Sequence, residues 1–395
     1  MRVIIFQGKS QYDVMRRFSY RYVKALNELG IETILYDMVN VEDTNEYLEL
    51  VSRFKPNFTM GFNPVAIYFD KGIWHNEKTS IPHFVFLLDH PYYHLDRILS
   101  KPNHPLVHTI YLEKNYEEAI KHLNIKNITR KINLSSEQVL YNSFNSKIYD
   151  MVFFGTLQAP ETTLIEIDKQ VSNPFLKKLI IEFLVDITKV VCEDKVFLEQ
   201  DIEFYFKSYM KNYYSGSDEH MDNLVRNAYP WIDTYYRNLT REEVIKGFAR
   251  EGIKISVFGN ARFKEILSDY SHIKVFAPVS YHDCMNIVAQ SKITLNISPM
   301  FQSYHDRIPL AYMNRSILCT NVMEDLINIL PESLNNTLYY NMHNISDVAN
   351  IIKGVISNKE EFEMITENAF QMASQHFSPE KDVKELLEIY HNAFK

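Results

Sequence analysis

The 395-residue sequence is 46% apolar and 23% charged, with 42 Lys and Arg against 50 Asp and Glu, a formal charge of −8. That apolar share excludes an intrinsically disordered chain and, at ~150 residues per domain, supports two or three cores. The acidic balance offers no general attraction to nucleic acid or an acidic membrane surface, and Cys192, Cys284 and Cys319 stand too far apart for a disulfide scaffold or a zinc module.

Val3–Phe6 at the amino end are too few apolar residues for a signal-peptide core, and no run approaches the ~20 residues that span a bilayer. A cytoplasmic protein without a transmembrane segment is expected. Val3–Phe6 instead reads as a strand of the buried parallel kind. Val14, Phe18, Tyr22, Ala25, Leu26 and Leu29 follow at helical spacing, and Gly30 closes that helix. Ile31–Tyr36 is the next strand, and Tyr47, Leu48, Val51 and Phe54 mark a helix stopped before Pro56. Further strands are expected at Asn57–Phe62, His83–Leu88 and Leu106–Tyr111, with a helix over Asn115–Leu123. Such alternation predicts a parallel sheet covered on both faces, with ligands outside the carboxyl ends of its strands.

The pattern restarts near residue 149. Asp150–Phe154 is a strand ending in Gly155-Thr156, but the following strand is delayed by a helical stretch, about 157–250. That stretch reads as a structural insert, broken at Tyr213–Ser217, with a capping box at Thr240 and Glu243 opening its last helix. Strands then resume at Ile253–Phe258, Ile273–Phe276, Ile293–Ile297 and Ile317–Thr320, and Ser378-Pro379 opens a final helix that could pack back on the first domain. The fold class is α/β: two Rossmann-like doubly wound domains facing across a cleft, residues 1–148 and 149–377, with 378–395 as a terminal helix.

Chemistry is expected at the strand ends. Gly155-Thr156 and Gly259-Asn260 each follow an apolar strand, where a glycine lets backbone N–H groups approach a phosphate or ribose. His305-Asp306-Arg307 opens the helix Ile308–Asn314. A helix start carries about half a positive charge, and a His and an Arg there add donors suited to a diphosphate. Asp306 is either an ordinary helix-start acid or a ligand of a sugar hydroxyl. In the first half, Leu87-Leu88-Asp89-His90-Pro91 sets a carboxylate and an imidazole at the ligand edge, either able to act as general base. The rival reading makes Asp89 a turn cap. There is no Asp-x-Asp, no full Walker-type Gly-x-x-x-x-Gly-Lys-Ser/Thr loop and no Gly-x-Gly-x-x-Gly, which disfavours a nicotinamide enzyme or P-loop ATPase and leaves diphosphate charge to helix dipoles and side chains rather than a metal.

Taken in order, Phe153-Phe154-Gly155-Thr156, Val257-Phe258-Gly259-Asn260, Ser291–Ile297, His305-Asp306-Arg307-Ile308, Ala311–Asn314 and Leu318–Asn321 resemble bacterial group 1-type glycosyltransferases of GT-B fold, in particular the spore-maturation-protein-like (CgeB-like) branch. Over the first half the resemblance rests on Gly61-Phe62-Asn63 and Leu88–Pro91. It implies transfer of a sugar from a nucleotide-sugar donor, metal-independent and without a further cofactor. The donor would lie against Gly155, Thr156, Gly259, Asn260, His305, Asp306 and Arg307, with Ser280 and Tyr281 near the base. The acceptor, a protein, glycan or small molecule, would sit on the first domain. Retaining relatives carry two glutamates eight positions apart, where this chain has Gln302 and Leu310, and a glycine where it has Arg315. Their loss points to inversion, with Asp89 or His90 as catalytic base. A sugar-nucleotide epimerase or phosphorylase of the same architecture, or a non-catalytic nucleotide-sugar-binding protein, is the alternative.

Overall fold

The computed structural model describes residues 1–40, 44–65, 68–69, 73–74, 78–100, 104–125, 129–139, 143–298, 303–331 and 333–394. Two compact units emerge: Met1–Ser136 with Ser280–His282 and His376–Lys395, and Glu137–Val279 with Asp283–Gln375.

The first unit is built on a six-stranded parallel sheet in the order Glu32–Asp37, Arg2–Gln7, Phe58–Phe62, His83–Leu87, Val107–Tyr111 and Thr129–Lys131. Val3, Ile4, Ile5 and Phe6 are all fully buried, as a strand covered on both faces requires. Ile4 and Phe6 share a core cluster with Tyr47, Val51 and Phe54 from the helix Thr44–Phe54. The helix Val14–Glu28 buries Phe18, Tyr22, Ala25 and Leu26, the same face the sequence periodicity marks. It ends at Gly30, whose φ of +76° suits a residue without a Cβ. The last helix, Pro379–Phe394, packs on Val14–Glu28 within this unit, its Tyr390 ring 5.0 Å from Phe58.

The second unit carries another six-stranded parallel sheet, ordered Lys274–Phe276, Ile255–Gly259, Tyr149–Gly155, Ser291–Asn296, Ile317–Asn321 and Thr337–Tyr340. This is the doubly wound order 3-2-1-4-5-6, whose direction reverses between Tyr149–Gly155 and Ser291–Asn296. In the first sheet the reversal lies between Arg2–Gln7 and Phe58–Phe62. The α/β class with two Rossmann-like sheets is therefore observed.

Between the first two strands of the second sheet come the helices Pro160–Gln170, Pro174–Cys192, Ile202–Met210 and Asp218–Arg250. The expected capping box is absent. Thr240 lies inside a continuous 33-residue helix, and its hydroxyl donates to the carbonyls of Tyr236 at 2.9 Å and Arg237 at 3.2 Å. Glu243 pairs with Lys195 at 2.8 Å instead of closing a cap. The helix starts at Ser217, whose hydroxyl accepts from the N–H of His220. A Thr can satisfy itself on the preceding turn, so the motif alone does not mark a helix start. No helix among the described residues is long and apolar enough to cross a membrane.

Candidate functional site

In the second unit the candidate site lies at the carboxyl edge of the sheet. Gly155 and Gly259 end neighbouring strands and stand opposite each other in register. A Cβ on Gly259 would fall 2.6 Å from the Gly155 carbonyl oxygen, so the two backbones approach as only glycine allows. The segment leaving Gly155 is held from both ends. The Asn260 side chain accepts from the Leu157 N–H at 3.0 Å and donates to the Leu157 carbonyl at 2.7 Å. Asn238 accepts from the Gln158 N–H at 3.0 Å, and Arg241 donates to the Thr156 carbonyl at 2.9 Å. Asn260 thus fixes the shape of the turn, its amide spent on backbone. The Thr156 and Gly155 positions stay half-exposed.

Arg307 is the charge at this edge. Its guanidinium carbon lies 5.9 Å from the centroid of the Phe153 ring, two residues before Gly155, and among the described residues its buried Nη1 has no hydrogen-bond partner. Burial pushes the neighbouring Cys284 thiol well above its usual range, with the Arg307 charge lowering and the Asp306 charge raising it. His305 Nδ1 pairs with the Asp306 carboxylate, and Asp306 is buried. The helix itself, Arg307–Met313, has only seven residues. Pro309 has no N–H, and the N–H groups of Ile308 and Leu310 are spent on the carbonyls of His305 and Asp306. The helix start therefore offers an anion little; the side chain of Arg307 offers more.

The positions where the sequence departs from retaining relatives can be compared. Leu310 is fully buried, so that position is core here. Gln302 lies outside the described residues, as do Pro299, Met300 and Phe301. Arg315 adopts a left-handed φ of 51°, the conformation a glycine would take freely. Its guanidinium is turned to Glu367, at 2.9 Å, and stacks 3.7 Å from the Phe370 ring centre.

The first unit separates the two proposed bases. Asp89 is exposed, whereas His90 is fully buried, its Nδ1 accepting from the Tyr92 N–H at 3.3 Å and its ring packed on Tyr92 and Tyr116. Asp89 is positioned by Asn63, a residue sequence reasoning placed only within a resemblance. Asn63 takes a left-handed φ of 54°, accepts from the N–H groups of Leu88 and Asp89, and donates from Nδ2 to the Asp89 carboxylate at 2.8 Å. His94 lies 3.7 Å from the same carboxylate. Asn63 directly follows Phe62, at the reversal point of the sheet, and its left-handed turn lets one amide orient the next strand end. Ser280 and Tyr281 belong to the first unit, with the Tyr281 ring edge-on to Phe18 at 5.5 Å. Among the described residues no group of three or more His, Cys, Asp and Glu side chains is placed to share a metal ion.

Residues 237–388 match the family described as "Glycosyl transferase-like". A search of the curated proteins finds no match. Among solved structures, the chain is similar to Anabaena Alr3699/HepE in complex with UDP and glucose, at 9% identity and TM-score 0.53 over 99% of this chain and all of that one. It is similar to sucrose-phosphate synthase from Thermosynechococcus elongatus, at 8% identity and TM-score 0.54 over 100% and 99%. An alpha-glucosyltransferase solved with UDP-glucose and abasic-site DNA gives 11% identity and TM-score 0.58 over 99% of each chain. Residues 237–388 thus carry the match to a glycosyltransferase-like family, and the whole chain shares the two-sheet GT-B fold of these solved structures.

Proposed function

We propose that the protein transfers a sugar from a nucleoside diphosphate sugar held by the second unit to an acceptor hydroxyl, without a bound cation. The observation that carries this reading is the pair Gly155 and Gly259 beside an Arg307 guanidinium whose buried Nη1 has no partner among the described residues. An anion set there would be met by backbone at close approach and by a fixed charge, which stabilises the leaving diphosphate more as the bond breaks. The acceptor oxygen bonds to the anomeric carbon, its proton passes to Asp89, and the carbon–oxygen bond to the diphosphate breaks with its electron pair. Asn63 keeps the Asp89 carboxylate oriented. His90, wholly buried, is the weaker candidate for this role. Attack opposite the leaving group inverts the anomeric centre. This reading places the chain in the CgeB-like branch and in the cytoplasm, and uridine diphosphate sugars are the first donors to try because similar folds are solved with UDP.

The test is a panel of nucleotide sugars scored for thermal shift and nucleoside diphosphate release, with and without chelator. Binding and release that survive chelation are expected. Abolition of binding by chelator, or no stabilisation by any donor, would overturn the reading.

A further inference from the structure

A cavity of the second unit, about 430 Å³, opens beyond the carboxyl ends of Ile317–Asn321 and Thr337–Tyr340, three strands away from the end of Ile255–Gly259. Its floor is sheet: Asn321 accepts from the Ser298 N–H at 3.1 Å, and the Tyr340 hydroxyl donates to the Asn296 carbonyl at 2.9 Å. Its wall is insert. The long helix contributes Tyr236 and Thr240, and the segment before Ile202–Met210 contributes Phe197, whose ring lies 6.0 Å from that of Tyr340. The Tyr236 hydroxyl accepts from the Leu198 N–H at 3.0 Å and so ties the segment down. A helical insert that reads in sequence as structural thus builds half of a pocket.

The chemistry of the lining selects among ligands. Lys195 already carries Glu243, while Glu199 and Glu324 are exposed at the rim. A phosphorylated ligand would meet uncompensated carboxylates there. Aromatic rings beside amide and carboxylate groups suit a neutral polyhydroxy molecule, whose C–H faces lie on a ring and whose hydroxyls find acceptors and donors. The volume falls in the range of small-ligand sites. The geometry points to a subsite for neutral glycan, held by the second unit itself and separate from the diphosphate position at Arg307. It rests on the glycosyltransferase reading only for its biological sense, as the place where an acceptor or product chain is held.

The full-length protein is tested by saturation-transfer NMR and titration against neutral di- to tetrasaccharides of gluco-, galacto-, manno- and rhamno- configuration. UDP-glucose binding is measured in the same samples. At least one saccharide is expected to bind, with Phe197→Ala weakening it about tenfold, the order expected for one lost ring contact. Glu324→Gln, an exposed change that leaves the core intact, is expected to weaken it as well. Arg307→Ala is expected to weaken UDP-glucose roughly 10- to 100-fold but keep the saccharide. Absence of saccharide binding, or wild-type saccharide affinity in both Phe197→Ala and Glu324→Gln, overturns the subsite even if UDP-glucose binds. Saccharide binding without any nucleotide binding sustains the subsite and instead refutes the proposed donor site.

Discussion

Asp382 permits a quantitative test of the first unit. Its carboxylate, on the final helix, is wholly buried and accepts from both the N–H of Ser135 at 3.1 Å and the Ser135 hydroxyl at 2.5 Å. Burial raises its pKa from the ordinary 3.8 to about 7, against the lowering effects of the Ser135 hydrogen bonds and the Arg21 charge, with Glu385 adding to the rise. The folded state therefore holds the proton more tightly than the unfolded chain. The stability this confers is complete below the unfolded value near 4 and is lost as the pH climbs to about 7. With 1.36 kcal/mol for each tenfold change in proton affinity, the whole span is about 4 kcal/mol. Asp382→Asn removes the titration. Urea denaturation of wild type and variant at matched pH isolates it, because the other groups cancel in the difference. Between pH 4.5 and 8 the wild type is expected to lose about 3 kcal/mol relative to the variant. A difference independent of pH, or one that grows in favour of the wild type on raising the pH, would refute the burial argument.

Arg307→Ala is expected to weaken nucleotide-sugar binding by roughly 10- to 100-fold, the loss of one charge-assisted hydrogen bond, by calorimetry. Asp89→Asn is expected to leave that affinity alone and reduce turnover by about 10²- to 10⁴-fold; equal affinity in both variants would break the assignment. Gly259→Ala sets a Cβ 2.6 Å from the Gly155 carbonyl and 2.6 Å from Phe263, and should cost about 1–3 kcal/mol in thermal denaturation. Gly354→Ala, inside the helix Ile345–Val355 with nothing within 4 Å of the new carbon, should gain up to about 1 kcal/mol. If the two changes shifted stability alike, close backbone approach would not be the reason for Gly259. Burial lowers the His83 pKa to about 4. Its imidazole should stay neutral in NMR titrations down to pH 5, and the unfolded chain should take up the proton first, so this group costs stability as pH falls from 6.5 towards 4. A titration midpoint near 6.5 would contradict that.

The strands that were legible in the sequence are those buried on both faces. Val3–Phe6 and Met151–Phe154 show continuous apolar runs because helices cover both sides of a parallel sheet. Two of the edge strands escaped notice, although the edges Glu32–Asp37 and Lys274–Phe276 were legible. Thr129–Lys131 is three residues of polar sequence, and Thr337–Tyr340 is only partly buried at its centre. An edge strand needs to satisfy only one neighbour, so its composition carries little of the signal. The misplaced helix start at Thr240 has a different cause. Local side-chain chemistry is identical for a cap and for a back-bonded threonine, and only the packing of the flanking turns decides between them.

At the site, sequence located strand ends but not which side chains face solvent. Asp89 and His90 are adjacent and chemically equivalent as proposed bases, yet one is exposed and the other sealed between Tyr92 and Tyr116. Asn260 has the right position and the wrong occupation, since both ends of its amide hold Leu157. Asn63 carries the converse lesson: its role depends on a left-handed φ and on hydrogen bonds to residues 25 and 26 positions away, neither of which any local pattern encodes. The same logic separates Arg307 from Arg315. Both are arginines flanking one short helix, but Arg315 pairs with Glu367 and stacks on Phe370, whereas Arg307 forms no ion pair among the described residues and has a buried Nη1 without a hydrogen-bond partner there. A buried guanidinium donor left unmet costs the fold free energy, so its retention beside two facing glycines argues for a ligand that meets it.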